Sequence, residues 1–302
     1  MVTRNDRARL RAKRYGEVSP PRRRRTILRS GSRKVNVRLC LLAVAIGVIV
    51  VNAQDGGQPA ARADQNSRLA HAQLIEKARR GGIDVYFEGD SITRRWGTSD
   101  LQYRALLENW MHNFFGWNAA NFGWGGDTVQ NILWRLTEGE LDGVHPKVIV
   151  VMAGTNNVGG ALRDGVDAAV VEKVTNGMRA VLELIQRKAP EATVILMGIT
   201  PRTDNRDGAS VMPTIDAINE RYARFAEGPR IRYVNINAQL ARTDGAPREG
   251  VTVDGLHLSL TGYQVWADAL KPVLTELLGP PAAIDHAPPP TGDPSAVRAP
   301  TR

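Results

Sequence analysis

The sequence predicts an α/β protein: a three-layer α/β/α sandwich around a five-stranded parallel sheet. Three observations carry this expectation. Short apolar runs alternate with longer amphipathic stretches along the chain, the pattern of strands joined by crossover helices. The clearest run, Lys147-Val148-Ile149-Val150-Val151-Met152, is apolar without alternation, as strands buried on both faces are. Polar, glycine-bearing clusters follow the runs at Gly89–Ser91, Gly123–Asp127 and Gly154–Asn157. Open parallel sheets gather their ligands beyond the carboxyl ends of the strands, where these clusters fall.

The elements follow in order. A helix near 66–80 stops at Gly81-Gly82, a C-terminal signal. Ile83 to Phe87 is the first strand, and Gly89-Asp90-Ser91 follows it. Trp117 to Phe122 is a weaker strand, 147–152 the third, Ala192 to Ile199 the fourth, and Ile231 to Ile236 the fifth. Helical periodicity fills 99–113, 127–137, 165–188, 213–226 and 261–278. The folded body therefore runs over 66–279, an ordinary size for one domain.

The ends differ from that body. Residues 1–38 hold fourteen Arg or Lys against Asp6 and Glu17, which gives +12; the whole chain is +9, so 39–302 sums to −3. The charge belongs to an arm, and a −3 body speaks against a nucleic-acid partner. The arm runs into Leu39–Val51, thirteen residues without a charge. That is shorter than the roughly 20 residues of a spanning helix and within the roughly 7–15 of a signal-peptide core. Residues 39–53 thus read as a signal-peptide core or as an uncleaved signal anchor. Either leaves the arm cytoplasmic, exports the body, and in the anchored case touches the membrane. Cys40 is the lone cysteine, which excludes a disulfide, a catalytic cysteine and a Cys-based zinc site from the body. Residues 54–65 read as a polar linker. Residues 280–302, with seven prolines, read as a disordered tail.

A serine hydrolase needs a hydroxyl, a base, a group that orients the base, and donors for the oxyanion. Ser91 sits in a tight strand-to-helix turn, as a nucleophile or as a helix N-cap. Asp254 and His257, three apart, can share one side of a turn, with the carboxylate on Nδ1 and Nε2 free to face a serine; a surface Asp and a satisfied His have the same spacing. Gly126 offers a backbone N–H, or a left-handed turn. Asn156 offers an amide NH2, or an Asx-turn. Trp96 and Trp124 flank the clusters as candidates for lining an acyl or sugar pocket, with core packing as the alternative. Asp90 and Asp127 read as turn residues. No metal-ligand cluster and no complete nucleotide-binding glycine motif is present.

Taken together, Gly89-Asp90-Ser91-Ile92, Asn121 through Thr128, Gly154-Thr155-Asn156-Asn157 and Asp254-Gly255-Leu256-His257 occur in the order found in the SGNH (GDSL-like) hydrolases, and residues 83–278 resemble that family. Asn121 through Leu136, with the strand into Gly154–Asn157, resembles the platelet-activating-factor acetylhydrolase Ib catalytic subunits and their bacterial relatives within that family. The resemblance implies a flavodoxin-like sheet and a cofactor-free carboxylic-ester hydrolase. It implies Ser91 as nucleophile, His257 as base and Asp254 as its orienter, with Ser91 N–H, Gly126 N–H and the Asn156 amide as oxyanion hole. The expected activity is an exported esterase acting on short, chiefly acetyl, esters of a small molecule, glycan or lipid. A lysophospholipase or thioesterase is the neighbouring alternative, and a non-catalytic glycan- or lipid-binding module the distant one. The oligomeric state is left open.

Overall fold

Five β-rich runs assemble into one sheet. The computed structural model describes residues 56–203 and 210–298. The strands are β1 (Val85–Gly89), β2 (Ala119–Asn121), β3 (Val148–Met152), β4 (Thr193–Met197) and β5 (Ile231–Val234). They pair in the order β2-β1-β3-β4-β5, all parallel. Val85 lies opposite both Ala119 and Val148, and Gly89 opposite Met152. Every residue of β1 and β3 is buried, which is why neither run alternates. β2 to β5 are each shorter than their runs, and β1 starts two residues later than its run and extends to Gly89, because residues such as Ile83 and Ile199 pack in the core without joining the ladder.

The two sheet faces divide the helices into two layers. Tyr86, Ile149, Val151, Val194 and Leu196 point to one face. There they meet α1 (Gln65–Arg79), α4 (Val129–Arg135), α6 (Ala168–Lys188) and α7 (Met212–Ala223). Val85, Phe87, Val150, Ile195 and Met197 point to the other. They meet α2 (Ser91–Trp96), α3 (Arg104–Phe114) and α9 (Leu260–Leu278). Short helical turns α5 (Thr155–Val158) and α8 (Asn237–Leu240) follow β3 and β5. Side chains place the helix starts: Asp64 accepts from Ser67 N, Asp167 from Val170 N and Ser259 from Gly262 N, while Thr128 and Asn131 form a reciprocal box on α4. The stretch expected as one helix over 99–113 is a 3₁₀ turn, Leu101–Tyr103, followed by α3.

Two expectations are corrected. Residues 56–64 are not a free linker. Gly56 lies so close to α6 that a Cβ would come 2.4 Å from the Lys173 carbonyl oxygen. Gln130 donates to Gly56 O (2.8 Å) and accepts at its own backbone oxygen from Ala60 N (3.0 Å), and Asn131 donates to Ala60 O (2.8 Å). Small residues that resemble a linker in composition here permit close backbone approach. Nor are residues 280–298 a disordered tail. Ala282 N donates to Gly116 O (2.9 Å), Thr98 Oγ1 to Thr291 O (3.0 Å), and Asp293 N to Asp100 Oδ1 (2.6 Å). The prolines remove donors, and several of the remaining polar groups find partners on the body.

One contact of that strap is a stability test. Asp285 Oδ2 accepts from Gly116 N (2.7 Å) and Asn118 N (3.1 Å), two residues whose φ values are +89° and +51°. Asp285→Ala is expected to cost about 1–3 kcal/mol, the loss of charge-assisted bonds on a strained turn, read as a lower urea midpoint at unchanged slope. An unchanged midpoint would show that the strap merely rests on the surface.

Among the described residues, no helix is long and apolar enough to cross a membrane. The arm 1–38 and the run 39–53 lie outside them.

Candidate active site

The site is assembled by the carboxyl ends of β1, β2 and β3 and one distant loop. β1 ends at Gly89, where a Cβ would stand 2.1 Å from Thr93 Oγ1 and 2.5 Å from the Met152 carbonyl oxygen. A side chain there would force α2 off the sheet. Asp90, not Ser91, is the N-cap of α2: its Oδ1 accepts from Ile92 N at 2.9 Å. Ser91 is thereby freed from capping, and its hydroxyl lies 2.9 Å from His257 Nε2.

His257 is held by its own turn. Asp254 Oδ1 accepts from Leu256 N (3.1 Å) and His257 N (2.8 Å), and Oδ2 lies 2.7 Å from His257 Nδ1. Val253 N donates to His257 O (2.9 Å), and Gly255 takes φ +81° to close the loop. A carboxylate only accepts, so Nδ1 carries the proton and Nε2 presents its lone pair to Ser91 Oγ–H. The structure thus joins Ser91, His257 and Asp254 in one hydrogen-bonded chain across 166 residues of sequence.

Gly126 and Asn156 lie on the loops beyond β2 and β3. The loop after β2 is anchored by Trp124 N on Gly89 O (3.0 Å). It passes alongside Ser91, whose Cβ is 3.9 Å from where a Gly125 Cβ would stand. Gly126 is exposed, at φ +78°. Asn156 is the second residue of α5, whose N-cap Gly154 has φ +127° and no room for a Cβ against Ile199. Asn156 Nδ2 donates to Asp127 O at 2.8 Å. An amide nitrogen carries two hydrogens, so one remains for a ligand. Asn157 is structural: its amide bridges Val129 N and Gln130.

The electrostatics suit a base at His257. Burial pushes the imidazole below its usual value, Asp254 opposes this, and the nearby Arg95 and Arg202 charges lower it further. Partial burial works against ionisation of Asp254, but bonds from the His257 backbone and ring outweigh it and hold the carboxyl below its usual range. Arg95, one turn after Ser91, lies 3.6 Å from Asp254 Oδ2 and stacks over Tyr103. Arg202 donates from Nη1 to Thr155 O (2.8 Å) and Thr155 Oγ1 (3.2 Å). Asp90, wholly buried, is pushed up to about 7 by burial.

Neither tryptophan lines this site. Trp96 is 0% exposed, packed among Phe87, Trp110, Phe114, Tyr263 and Trp266. Trp124 is 7% exposed, donates to Ser67 Oγ (2.8 Å) and carries the Arg94 guanidinium on its ring. Asp127 does more than hold a turn. It belongs to a buried cluster in which Arg135 binds Glu88, Asp127 and Glu140, and His71 reaches Glu140 at 2.7 Å. Sequence reasoning missed this cluster, along with Arg62 and Arg95. Only the spacing of Arg95 from Ser91, i and i+4 on one helix face, signalled any of them. Among the described residues no group of three or more His, Cys, Asp or Glu is arranged to hold a metal ion.

The GDSL-like lipase/acylhydrolase family matches residues 87–265. The chain is 32% identical over 209 residues to the platelet-activating factor acetylhydrolase IB subunit alpha1 of Bos taurus, covering 69% of this chain and 82% of that one. It is 32% identical over 200 residues to the alpha2 subunit of Rattus norvegicus, covering 65% and 77%. Among solved structures, a GDSL-like lipase from Bacteroides thetaiotaomicron superposes with a TM-score of 0.54 at 21% identity, covering 71% and 98%. At that identity the likeness speaks for the fold.

Proposed function

The chain belongs to the GDSL-like lipase/acylhydrolase family and is an ester-bond hydrolase; on that premise we propose that it is a serine esterase that removes short acyl groups, acetyl foremost, through an acyl-enzyme on Ser91. The observation that carries this reading is the chain Ser91 Oγ–His257 Nε2, His257 Nδ1–Asp254 Oδ2 at 2.9 and 2.7 Å. His257 takes the hydroxyl proton as Ser91 attacks the ester carbonyl. The tetrahedral oxyanion is met by the Ser91 and Gly126 N–H groups and the free Asn156 amide hydrogen. His257 then protonates the departing alcohol. Water, activated by the same imidazole, frees the acid and restores Ser91. Asp254 keeps the tautomer and stabilises the imidazolium. The preference for acetyl rests on the acetylhydrolase relatives; the alcohol is a glycan, a small molecule or a lysolipid. Export rests on residues 1–53 alone. N-terminal sequencing of the mature protein tests cleavage of that segment, and intact residues 1–38 would rule out a cleaved signal.

The test of the reaction uses the full chain with a fluorophosphonate probe and p-nitrophenyl esters of rising acyl length. Covalent labelling and fastest turnover of the acetyl ester are expected. No labelling and no hydrolysis of any ester would sink the proposal.

The imidazole also sets a pH dependence. The base must be neutral, so kcat/KM falls as pH falls through the His257 pKa. That pKa is lowered from its ordinary value, so the acid limb is expected to have its midpoint below ~6.5. A midpoint above 7 in a p-nitrophenyl acetate profile would mean that the Asp254 carboxylate outweighs burial and the two arginines at His257. An acid limb that persisted unchanged in His257→Ala would contradict the assignment of His257 as the base.

A further inference from the structure

We propose that Arg62 is a positioning residue of the oxyanion hole, fixing the peptide plane that carries the Gly126 N–H. The inference rests on the ester-hydrolase reading of the site. Arg62 Nη1 donates to Gly125 O at 3.0 Å. That carbonyl and the Gly126 N–H belong to one peptide unit. A trans peptide is planar, with its C=O and N–H pointing in opposite directions. Holding the oxygen from behind therefore aims the hydrogen forward, alongside Ser91.

This peptide needs such a hold more than its neighbours do. It joins two glycines, and glycine crosses between φ wells at little steric cost. Rotation about the bonds flanking the unit would turn the donor away and bring the Gly125 carbonyl toward the substrate oxygen. Gly126 is at φ +78°, and a Cβ there would stand 3.1 Å from Arg62 Nη1. The guanidinium thus lies directly against the glycine.

Arg62 is itself well fixed. Nη1 also donates to Asp127 Oδ1 (3.1 Å), and Nη2 pairs with Asp64 at 3.2 Å. Asp127 is held from its other oxygen by Arg135 Nε (2.7 Å), and its backbone oxygen receives the Asn156 amide. One guanidinium therefore orients the loop bearing one donor and the residue that anchors another. Its charge also polarises the Gly125–Gly126 peptide, which strengthens the N–H as a donor in the same direction. Arg62 precedes residues 87–265, the part of the chain matched by the family. This support is thus supplied by the segment whose composition resembles a linker.

The test compares wild type, Arg62→Met and Arg62→Lys in the full chain. Four quantities are measured: kcat, KM, the affinity of a trifluoromethyl ketone that forms a tetrahedral adduct, and the pH profile. Removing an oxyanion donor outright costs on the order of 10²–10³ in rate; loosening one should cost less, about tenfold. Arg62→Met is expected to lose about tenfold in kcat and a like factor in ketone affinity. Its KM should stay within about twofold, and its acid limb should not move. Arg62→Lys should recover part of both losses, since it keeps the charge and one donor. If Arg62→Met keeps kcat within about twofold, or loses kcat while ketone affinity holds, the proposal is overturned. Should the wild type itself hydrolyse no ester, the reaction assignment fails separately. The crystal structure of Arg62→Met then decides: an unchanged Gly125–Gly126 peptide overturns the positioning role, and a turned or doubly occupied one supports it.

Discussion

Ser91→Ala is expected to lower kcat for p-nitrophenyl acetate by at least about 10⁴-fold and to abolish fluorophosphonate labelling, with an unchanged urea midpoint. The combination is what makes the result diagnostic. A serine at a helix start is often the cap, and losing a cap costs about 1 kcal/mol. Here Asp90 caps α2 and the Ser91 hydroxyl faces His257. Alanine therefore removes the attacking atom and leaves the helix intact. His257→Ala should fall to a similar floor, and the double variant no further, because the two groups act as one unit. The residual rate would come from the oxyanion donors and binding. If Ser91→Ala kept its labelling, or if the double variant lost the product of the two single losses, the hydrogen-bonded chain would not be a catalytic unit.

The parts of this molecule legible in its sequence are those whose cause is local. β1 and β3 are buried on both faces, so their apolar runs are continuous and easy to place. Ser91 and Asn156 follow those strands directly, and the fold puts strand ends together. Asp254 and His257 lie on one turn. What was not legible depends on partners far away in sequence. Trp96 lies five residues after Ser91, yet it faces Trp110, Phe114, Tyr263 and Trp266 rather than the cleft. Trp124 is turned inward by Ser67. Segment 56–64 is polar and small because Gln130 and Asn131 accept and donate along its backbone. In the strap at 280–298, Asp285 reads as a solvated acid until Gly116 and Asn118 are found against it.

Arg135 is the largest such case, and Arg135→Met is expected to cost about 3–5 kcal/mol, the price of stranding a buried charge partner. An arginine near the end of a helix ordinarily reads as a solvated cation. This one is 2% exposed. It pairs with Glu88 on β1, Asp127 in the loop beside Ser91, and Glu140, and it donates to Phe122 O at 2.9 Å. One planar guanidinium serves all three carboxylates and a strand end, so lysine should not substitute. Without it, three carboxyl groups face each other out of water. Burial already pushes Glu88 up to about 8 and raises Asp127, against the pull of Arg135. Losing that pull raises the folded-state values further. A group with a raised folded pKa favours the folded state when protonated, so its contribution is present at low pH and lost as pH rises through that pKa. The deficit of Arg135→Met relative to wild type should accordingly be smaller at pH 5 than at pH 8 in urea unfolding. Against a total stability of about 5–15 kcal/mol, that is a loss of roughly a fifth of the whole or more. A deficit under about 1 kcal/mol, or one that shrank as pH rose, would mean that the carboxylates hold one another without Arg135. The same change should reach the site, because Asp127 joins this cluster to Arg62 and Asn156. Even a folded Arg135→Met protein is thus expected to lose kcat before it loses KM.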